Sequence, residues 1–132
     1  MNRAAGKLRT CGRADARARL RQAKGHVTAA ELMIGENTNV AASDAVLAGI
    51  AASDALCCFH LGQRSADGDH AKAVDLVRQV DRSAAKMLQR LLRMKTKAQY
   101  DFDVISTTEA RSALRLASEL VAIADTALLS GD

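Results

Sequence analysis

No proline interrupts this chain, whereas alanine occurs 27 times and leucine 15 times in its 132 residues. Proline breaks helices most strongly, and alanine and leucine enter helices at the least cost. Only three residues are aromatic, so the helices must pack closely through small side chains. The composition therefore predicts an all-α fold, a single bundle of four to five helices with short connections and mostly antiparallel neighbours.

The chain is long enough to bury one core without disulfides or metals, so we expect a single domain. Residues 1–12 show no apolar periodicity and are interpreted as a flexible basic lead-in. From Arg13 the apolar side chains recur at spacings of three and four, which predicts a helix that Gly35 ends. The helical domain is expected to cover residues 13–130.

The second predicted helix runs from about Val40 to His60 and is apolar on most sides, as expected for a central buried helix. Asn37 or Asn39 can cap its start. Asp44 and Asp54 interrupt its apolar surface. A buried carboxylate is costly unless it is paired, so at least one should face a basic partner or a cleft. Both could instead lie on a narrow solvent-exposed stripe.

Local signals predict the remaining helices. Gly62 ends the second helix, and Asp67 or Asp69 can cap the third. A break near Asp81 separates this helix from a fourth, which weakens around residues 100–103. The pattern of a serine at 106 and a glutamate at 109 is a capping box that opens the last helix.

Positive charge is concentrated at the N-terminus. Residues 1–24 contain eight Lys or Arg and one Asp, a net charge of +7, and the rest of the chain contains 11 basic and 14 acidic residues, a net charge of −3. Such a segment often binds phosphate backbones or an acidic protein surface. Arg13, Arg17 and Arg21 lie on one face of the first helix and are candidate RNA- or partner-binding residues. A solvated helix face is the alternative.

The three cysteines, Cys11, Cys57 and Cys58, are odd in number and form no CxxC motif. Cys57 and Cys58 are interpreted as small buried apolar residues. No signal-peptide pattern opens the chain, and no apolar run of membrane-spanning length is expected. We therefore expect a cytoplasmic protein without a membrane partner. The three histidines lack metal-ligand spacing, so neither a metal nor another cofactor is expected.

The segment from Leu56 to His70, LCCFHLGQRSADGDH, contains the densest group of chemically active side chains. Arg64 and His70 flank a glycine, so in a loop they could converge on one phosphate. The histidine would move a proton and the arginine would stabilise charge on the phosphoryl group, as in a metal-free ribonuclease. Asp54 would orient them. Alternatively, Arg64 pairs with an aspartate and His70 begins a helix as an ordinary exposed residue.

A second polar group, KTKAQY, closes the fourth helix. Lys95, Lys97 and Tyr100 are candidate RNA- or partner-binding residues. Alternatively, the tyrosine anchors the turn with a buried ring and a solvated hydroxyl.

The segments AGIAASDALCC, LGQRSADGDH and KTKAQY, followed by an Ala-rich helix, resemble the HEPN domain family, especially its actinobacterial members. The resemblance covers about residues 17–128. It implies a four- or five-helix bundle that is usually a homodimer, often paired with a minimal nucleotidyltransferase in toxin–antitoxin or defence systems. Catalytic members are metal-independent endoribonucleases that use an arginine followed, four to six residues later, by a histidine.

The chain departs from the family where this motif usually lies, because Lys95 stands at the arginine position and Tyr100 at the histidine position. In nucleotidyltransferase-paired members, a tyrosine near the motif can receive nucleotidyl groups. Two functions follow from the resemblance. Either Arg64, His70 and Asp54 form a relocated ribonuclease site, or the protein is a non-catalytic HEPN module that binds a nucleotidyltransferase, nucleotide or RNA.

Overall fold

A computed structural model of the protein describes residues 7–66, 68–100 and 104–130, with only the backbone described for residues 99 and 100. Its elements, in chain order, are β1 (Leu8–Thr10), α1 (Arg13–Met33), α2 (Thr38–Leu61), β2 (Gln63–Ser65), α3 (His70–Val80), α4 (Arg82–Tyr100) and α5 (Thr107–Ser130). Five helices thus account for most of the described residues. The prediction of an all-α, bundle-like fold is confirmed.

Helix α2 lies at the centre and packs against the four other helices. Its buried residues are mostly alanines, which allow the neighbouring helices to approach closely. At Gly49 the approach is close, because an added Cβ would overlap the side chain of Leu91 on α4. Larger side chains fill the spaces between these contacts, Leu56 from α2 itself and Leu88, Leu91 and Leu120 from the surrounding helices.

Helix α2 is also long and apolar enough to cross a membrane, judged by length and composition alone. The sequence-based expectation that no segment reaches this threshold was therefore wrong, because two aspartates are too few to lower its mean hydropathy sufficiently. However, 72% of the apolar window is buried inside the protein. The core helix of a bundle has the same composition.

Most predicted helix ends are confirmed at single residues. Asn37 caps α2 by accepting a hydrogen bond from the backbone N–H of Val40 (3.1 Å). Gly62 ends the helix in the left-handed conformation, at a φ of 69°. Asp69 caps α3 through the N–H of Lys72 (3.0 Å). Asp81 separates α3 from α4 and accepts a hydrogen bond from the N–H of Ala84 (2.8 Å).

The capping box of α5 is also present. The Ser106 hydroxyl accepts a hydrogen bond from the N–H of Glu109 (3.0 Å), and the Glu109 carboxylate accepts one from the N–H of Ser106 (3.0 Å). Both carboxylate oxygens of this glutamate are used, since the second one accepts a hydrogen bond from Lys97 (2.9 Å). These contacts tie the end of α4 to the start of α5.

Strands β1 and β2 pair antiparallel, with Leu8 opposite Ser65 and Thr10 opposite Gln63. Neither strand was predicted, and β1 lies inside the segment interpreted as a lead-in, whose residues 1–6 fall outside the described part of the chain. Three residues are too few to show a strand periodicity. The pairing partner is also distant in sequence, so no local signal reveals it.

Candidate functional site: an arginine cleft beside a disulfide

An open cleft of about 550 Å³ lies between β1, β2 and the first turns of α1. We call it the arginine cleft, because three arginines line it, one from each element: Arg9, Arg64 and Arg19. Gln22 and Asp15 add polar groups to the wall. The lining residues carry three positive charges and one negative charge, and Asp54 behind the wall adds a second negative charge by pairing with Arg19. The net charge around the cleft is thus weakly positive, and the space is large enough for a phosphate group.

The strand register places two of these arginines directly opposite each other, because Arg9 of β1 pairs with Arg64 of β2. The Cα atoms of facing residues in an antiparallel pair lie about 4.5–5.5 Å apart. Like charges in this position destabilise the pair. Arg64 also donates a hydrogen bond to the backbone carbonyl of Ser65 (3.2 Å). A bound anion could accept hydrogen bonds from both guanidinium groups.

The third arginine forms a buried ion pair. Arg19 donates two hydrogen bonds to the Asp54 carboxylate, from Nη2 (2.8 Å) and Nε (3.2 Å). The Asp54 side chain is 8% exposed, whereas that of Arg19 is 29% exposed. Arg19 also bonds the side-chain oxygen of Gln22. The expectation that an aspartate of α2 meets a basic partner is confirmed here, and Asp44 similarly lies 3.2 Å from the His26 ring.

His70, the first residue of α3, lines a different cleft with Arg78, Gln89 and Arg93. Burial lowers the pKa of His70 below its ordinary value of 6.5, and the nearby Lys95 ammonium lowers it further. Asp69 and Asp54 oppose these effects by raising the pKa. The imidazole is therefore mainly neutral at pH 7, the form that can accept a proton.

The structure divides the predicted catalytic group between two places. Arg64 faces the arginine cleft, and His70 faces the cleft between α3 and α4. Asp54 interacts with both regions, since it pairs with Arg19 and acts electrostatically on His70. Asp67 and the side chain of Tyr100 lie outside the described residues.

The remaining predicted binding residues lie on two surfaces. Arg13, Arg17 and Arg21 are exposed along α1, on a different face from the one that lines the arginine cleft. The Arg13 guanidinium lies 4.7 Å from the centre of the Phe59 ring, a cation–π contact. Lys95 and Lys97 lie near the end of α4, and Lys97 forms an ion pair with Glu109 (2.9 Å).

Cys11, which lines the arginine cleft, forms a disulfide with the buried Cys58 of α2. This bond was not foreseen, because Cys58 was interpreted as a small apolar residue and the two cysteines are 47 residues apart. The interpretation does fit Cys57, which is buried and reduced. Burial and the neighbouring Asp54 raise the pKa of its thiol to about 12. Among the described residues, no group of three His, Cys, Asp or Glu side chains could hold a metal ion.

A somewhat larger cleft, about 610 Å³, lies between the α1–α2 turn and the start of α5. It is lined largely by uncharged groups, together with one acidic and one basic residue, Glu36 and Arg111. The opposite charges cancel, so this cleft lacks the convergent charge of the arginine cleft. Of the two, the arginine cleft is the stronger candidate for ligand binding.

Comparisons of this chain with protein-family models, with curated proteins and with solved structures gave no match. Function has therefore to be inferred from the chemistry of the residues themselves.

Proposed function

We propose that this protein is a HEPN-like helical module that binds RNA through the arginine cleft, without cleaving it there. The observation that carries the proposal is the register that sets Arg9 opposite Arg64, with Arg19 on the third side. Guanidinium groups bind phosphate oxygens through paired hydrogen bonds and remain charged at every physiological pH. A phosphate in the cleft would accept hydrogen bonds from both facing arginines and neutralise part of their charge.

RNA offers the cleft the phosphate groups that guanidinium groups bind. Arg13, Arg17 and Arg21 add positive charge on a different face of α1 from the one that lines the cleft. RNA bound at the cleft therefore need not contact this second face. Arginine contacts to phosphates read the backbone and not the bases, so we expect little sequence preference.

The separation of Arg64 from His70 favours the non-catalytic form of the HEPN hypothesis. A histidine that serves as general base must lie within hydrogen-bond reach of the attacking group, at the same phosphate that the arginine holds. In this chain the two residues line different clefts. The proposal extends to the features that the resemblance implies: a cytoplasmic homodimer and a nucleotidyltransferase-type partner protein.

RNA binding can be tested with a short single-stranded RNA carrying a fluorophore, with affinity measured by anisotropy at about 50 mM and about 200 mM salt. Each of Arg9→Gln and Arg64→Gln should weaken binding roughly tenfold and reduce the salt dependence by about one phosphate contact. The control is Arg115→Gln, which removes the same charge from an exposed position on α5. Unchanged binding in both cleft variants, or binding that does not respond to salt, would contradict the proposal.

A metal-independent endoribonuclease remains the second candidate, because the lowered pKa of His70 leaves a neutral imidazole able to accept a proton. Two HEPN motifs usually meet across a dimer, so His70 of one copy could face Arg64 of another. Incubation of the protein with RNA and a chelator, followed by gel analysis, tests this function. Cleavage that is lost in both His70→Ala and Arg64→Gln would establish it, and intact RNA would eliminate it.

A further inference from the structure

The strand that carries Arg9 is held to the protein by few non-covalent contacts. All three residues of β1 are exposed, so no apolar burial anchors the strand. Beyond the three-residue ladder, the Cys11 N–H donates to the carbonyl of Gly62 (3.0 Å), and the Ala66 N–H donates to the carbonyl of Lys7 (2.8 Å). A two-stranded ladder of this length is marginal in water on its own. Besides the main-chain connection to α1, the disulfide supplies a covalent cross-link from the end of β1 to α2.

We propose that the Cys11–Cys58 disulfide is a redox-controlled latch for the arginine cleft: the oxidised protein holds Arg9 opposite Arg64 and binds RNA, and reduction releases β1 and weakens binding. The inference rests on the proposed function, since RNA is the ligand whose affinity would change. Its structural part, the release of β1, can be tested without RNA.

The position of the disulfide explains how its reduction would release β1. Cys11 lies directly after β1 and lines the cleft, and Cys58 lies in the last turn of α2, the central helix. The bond therefore joins the residue that follows β1 to the central helix of the fold. The two sulfurs pack with Ala16, Phe59 and Leu128 in a small apolar cluster. After reduction, only this packing and the backbone hydrogen bonds would keep β1 in place.

The reductant for this reaction is a low-molecular-weight thiol. The thiolate of this reductant attacks Sγ of Cys11 and forms a mixed disulfide. The S–S bond to Cys58 breaks, and the electron pair of that bond passes to Sγ of Cys58, which takes up a proton. A second thiol then attacks the mixed disulfide and releases Cys11 as the thiol, forming the disulfide of the reductant. Two electrons and two protons are thus transferred. Attack at Cys11 is favoured because this residue is 9% exposed, against 2% for Cys58.

The third cysteine does not compete in this exchange. Cys57 neighbours Cys58 in sequence, but it is buried among apolar residues of α2. Only the thiolate form of a cysteine attacks a disulfide, and burial keeps Cys57 protonated. The latch thus has one oxidised pairing, and Cys57→Ala is a suitable control that leaves this pairing intact.

The proposed cytoplasmic location determines when the Cys11–Cys58 disulfide would form. Disulfides in reducing compartments are mostly transient and are used for redox sensing or catalysis, whereas permanent structural disulfides belong to oxidising compartments. In a cytoplasmic protein the cleft would bind RNA best under oxidative stress.

The experiment compares the RNA affinity of the full-length oxidised protein with that of the same sample after treatment with excess dithiothreitol, with thiol content measured by mass spectrometry. We expect roughly tenfold weaker binding and a salt dependence smaller by about one contact after reduction, because Arg9 leaves the cleft. Cys11→Ser should match the reduced protein in both redox conditions. Cys57→Ala should respond as the wild type does.

Amide hydrogen exchange, followed by NMR, tests the structural part separately. The amides of Cys11 and Ala66 should exchange at least about tenfold faster after reduction, while those of α2 remain protected. This readout also covers the case in which Cys11→Ser fails to fold, because it uses the wild-type chain.

Failure of the latch and failure of RNA binding give different results. If both redox states bind RNA equally and Arg64→Gln weakens both, RNA binding stands and the latch is refuted. If neither state binds RNA, the proposed function is refuted, and the exchange data decide the latch: faster exchange supports the release of β1, and unchanged exchange refutes it. Absence of the Cys11–Cys58 bond after oxidation would also refute the latch.

Discussion

At the scale of single residues, His70 shows how three neighbouring charges and burial set one pKa. The Lys95 ammonium lowers it, and the Asp69 carboxylate raises it. Lys95→Gln should therefore raise the pKa of His70, and Asp69→Asn should lower it further. Asparagine can replace aspartate as a helix cap, so α3 should remain intact in the second variant. NMR titration of the imidazole C–H signals would measure both shifts.

Opposite shifts in these two variants would confirm that charge, in addition to burial, controls the pKa of His70. An unchanged pKa in both variants would show that burial dominates. The sign of the pH dependence follows from linkage. The pKa of His70 is lower in the folded than in the unfolded protein, so the unfolded chain binds more protons just below pH 6.5. The free energy of unfolding should thus fall as the pH falls through this range, and His70→Gln should reduce that fall.

The Arg19–Asp54 pair gives a second prediction at the same scale. In Arg19→Met the buried carboxylate loses two hydrogen bonds and its opposite charge, which should lower the free energy of unfolding by about 2–4 kcal/mol. Because the arginine is partly exposed, the lower part of this range is expected. The additional replacement Asp54→Leu should recover much of the loss, because it removes the buried carboxylate.

Urea denaturation of the two single variants and the double variant, set out as a double-mutant cycle, measures this coupling. A double variant less stable than Arg19→Met would mean that Asp54 has other essential partners. Arg19 also lines the arginine cleft. The stability measured in this cycle therefore shows whether a loss of RNA binding in Arg19→Met could come from unfolding.

At the scale of elements, two asparagines at the start of α2 have different roles, one as a helix cap and one in a tertiary contact. Asn37 is the cap, and Asn39 accepts a hydrogen bond from the backbone N–H of Ile105 (2.9 Å), in the segment before α5. Asn37→Ala should cost about 1 kcal/mol. Asn39→Ala should cost more, about 1–3 kcal/mol, because it leaves a donor of the fully buried Ile105 without its partner.

Thermal denaturation followed by circular dichroism would compare these variants. Asn39→Asp separates the two contacts of this side chain, since a carboxylate can accept from Ile105 but cannot donate to the Ala98 carbonyl as the amide does (3.4 Å). If Asn37→Ala proved the more damaging, the connection between α2 and the segment before α5 would be less important than the structure indicates.

The same element shows what could be predicted from sequence and why. The caps at Asn37, Asp69 and Ser106 were predictable, because each acts on a backbone N–H within three residues of itself. The role of Asn39 was not, because its partner lies 66 residues away.

The candidate site depends almost entirely on such distant contacts. Arg64 was selected from the sequence for its spacing to His70, but its nearest arginine partner, Arg9, is set by strand pairing. The disulfide and the Arg19–Asp54 pair likewise join residues 47 and 35 positions apart. Composition and helix periodicity determine the bundle, whereas the arrangement of charges around the cleft depends on tertiary structure.

At the scale of the whole molecule, the close approach of α2 and α4 limits which residues the core can accept. Gly49 has no room for a Cβ beside Leu91, whereas Gly25 in α1 has no atom within 4 Å of such a Cβ. Gly49→Val should therefore lower the free energy of unfolding by about 2 kcal/mol or more through overpacking. Gly25→Val should change it by less than about 0.5 kcal/mol, because valine and glycine differ little in helix propensity and nothing obstructs the side chain.

Urea denaturation of both glycine variants would test whether this contact organises the bundle. A further variant, Gly49→Val combined with Leu91→Ala, should recover part of the lost stability, because the shortened side chain makes room for the valine. Recovery would establish that α2 and α4 meet at these two positions. If Gly49→Val were as stable as Gly25→Val, α2 and α4 would have to lie farther apart at this position. The packing that holds α2, and with it Cys58 beside the arginine cleft, would then be looser than the structure indicates.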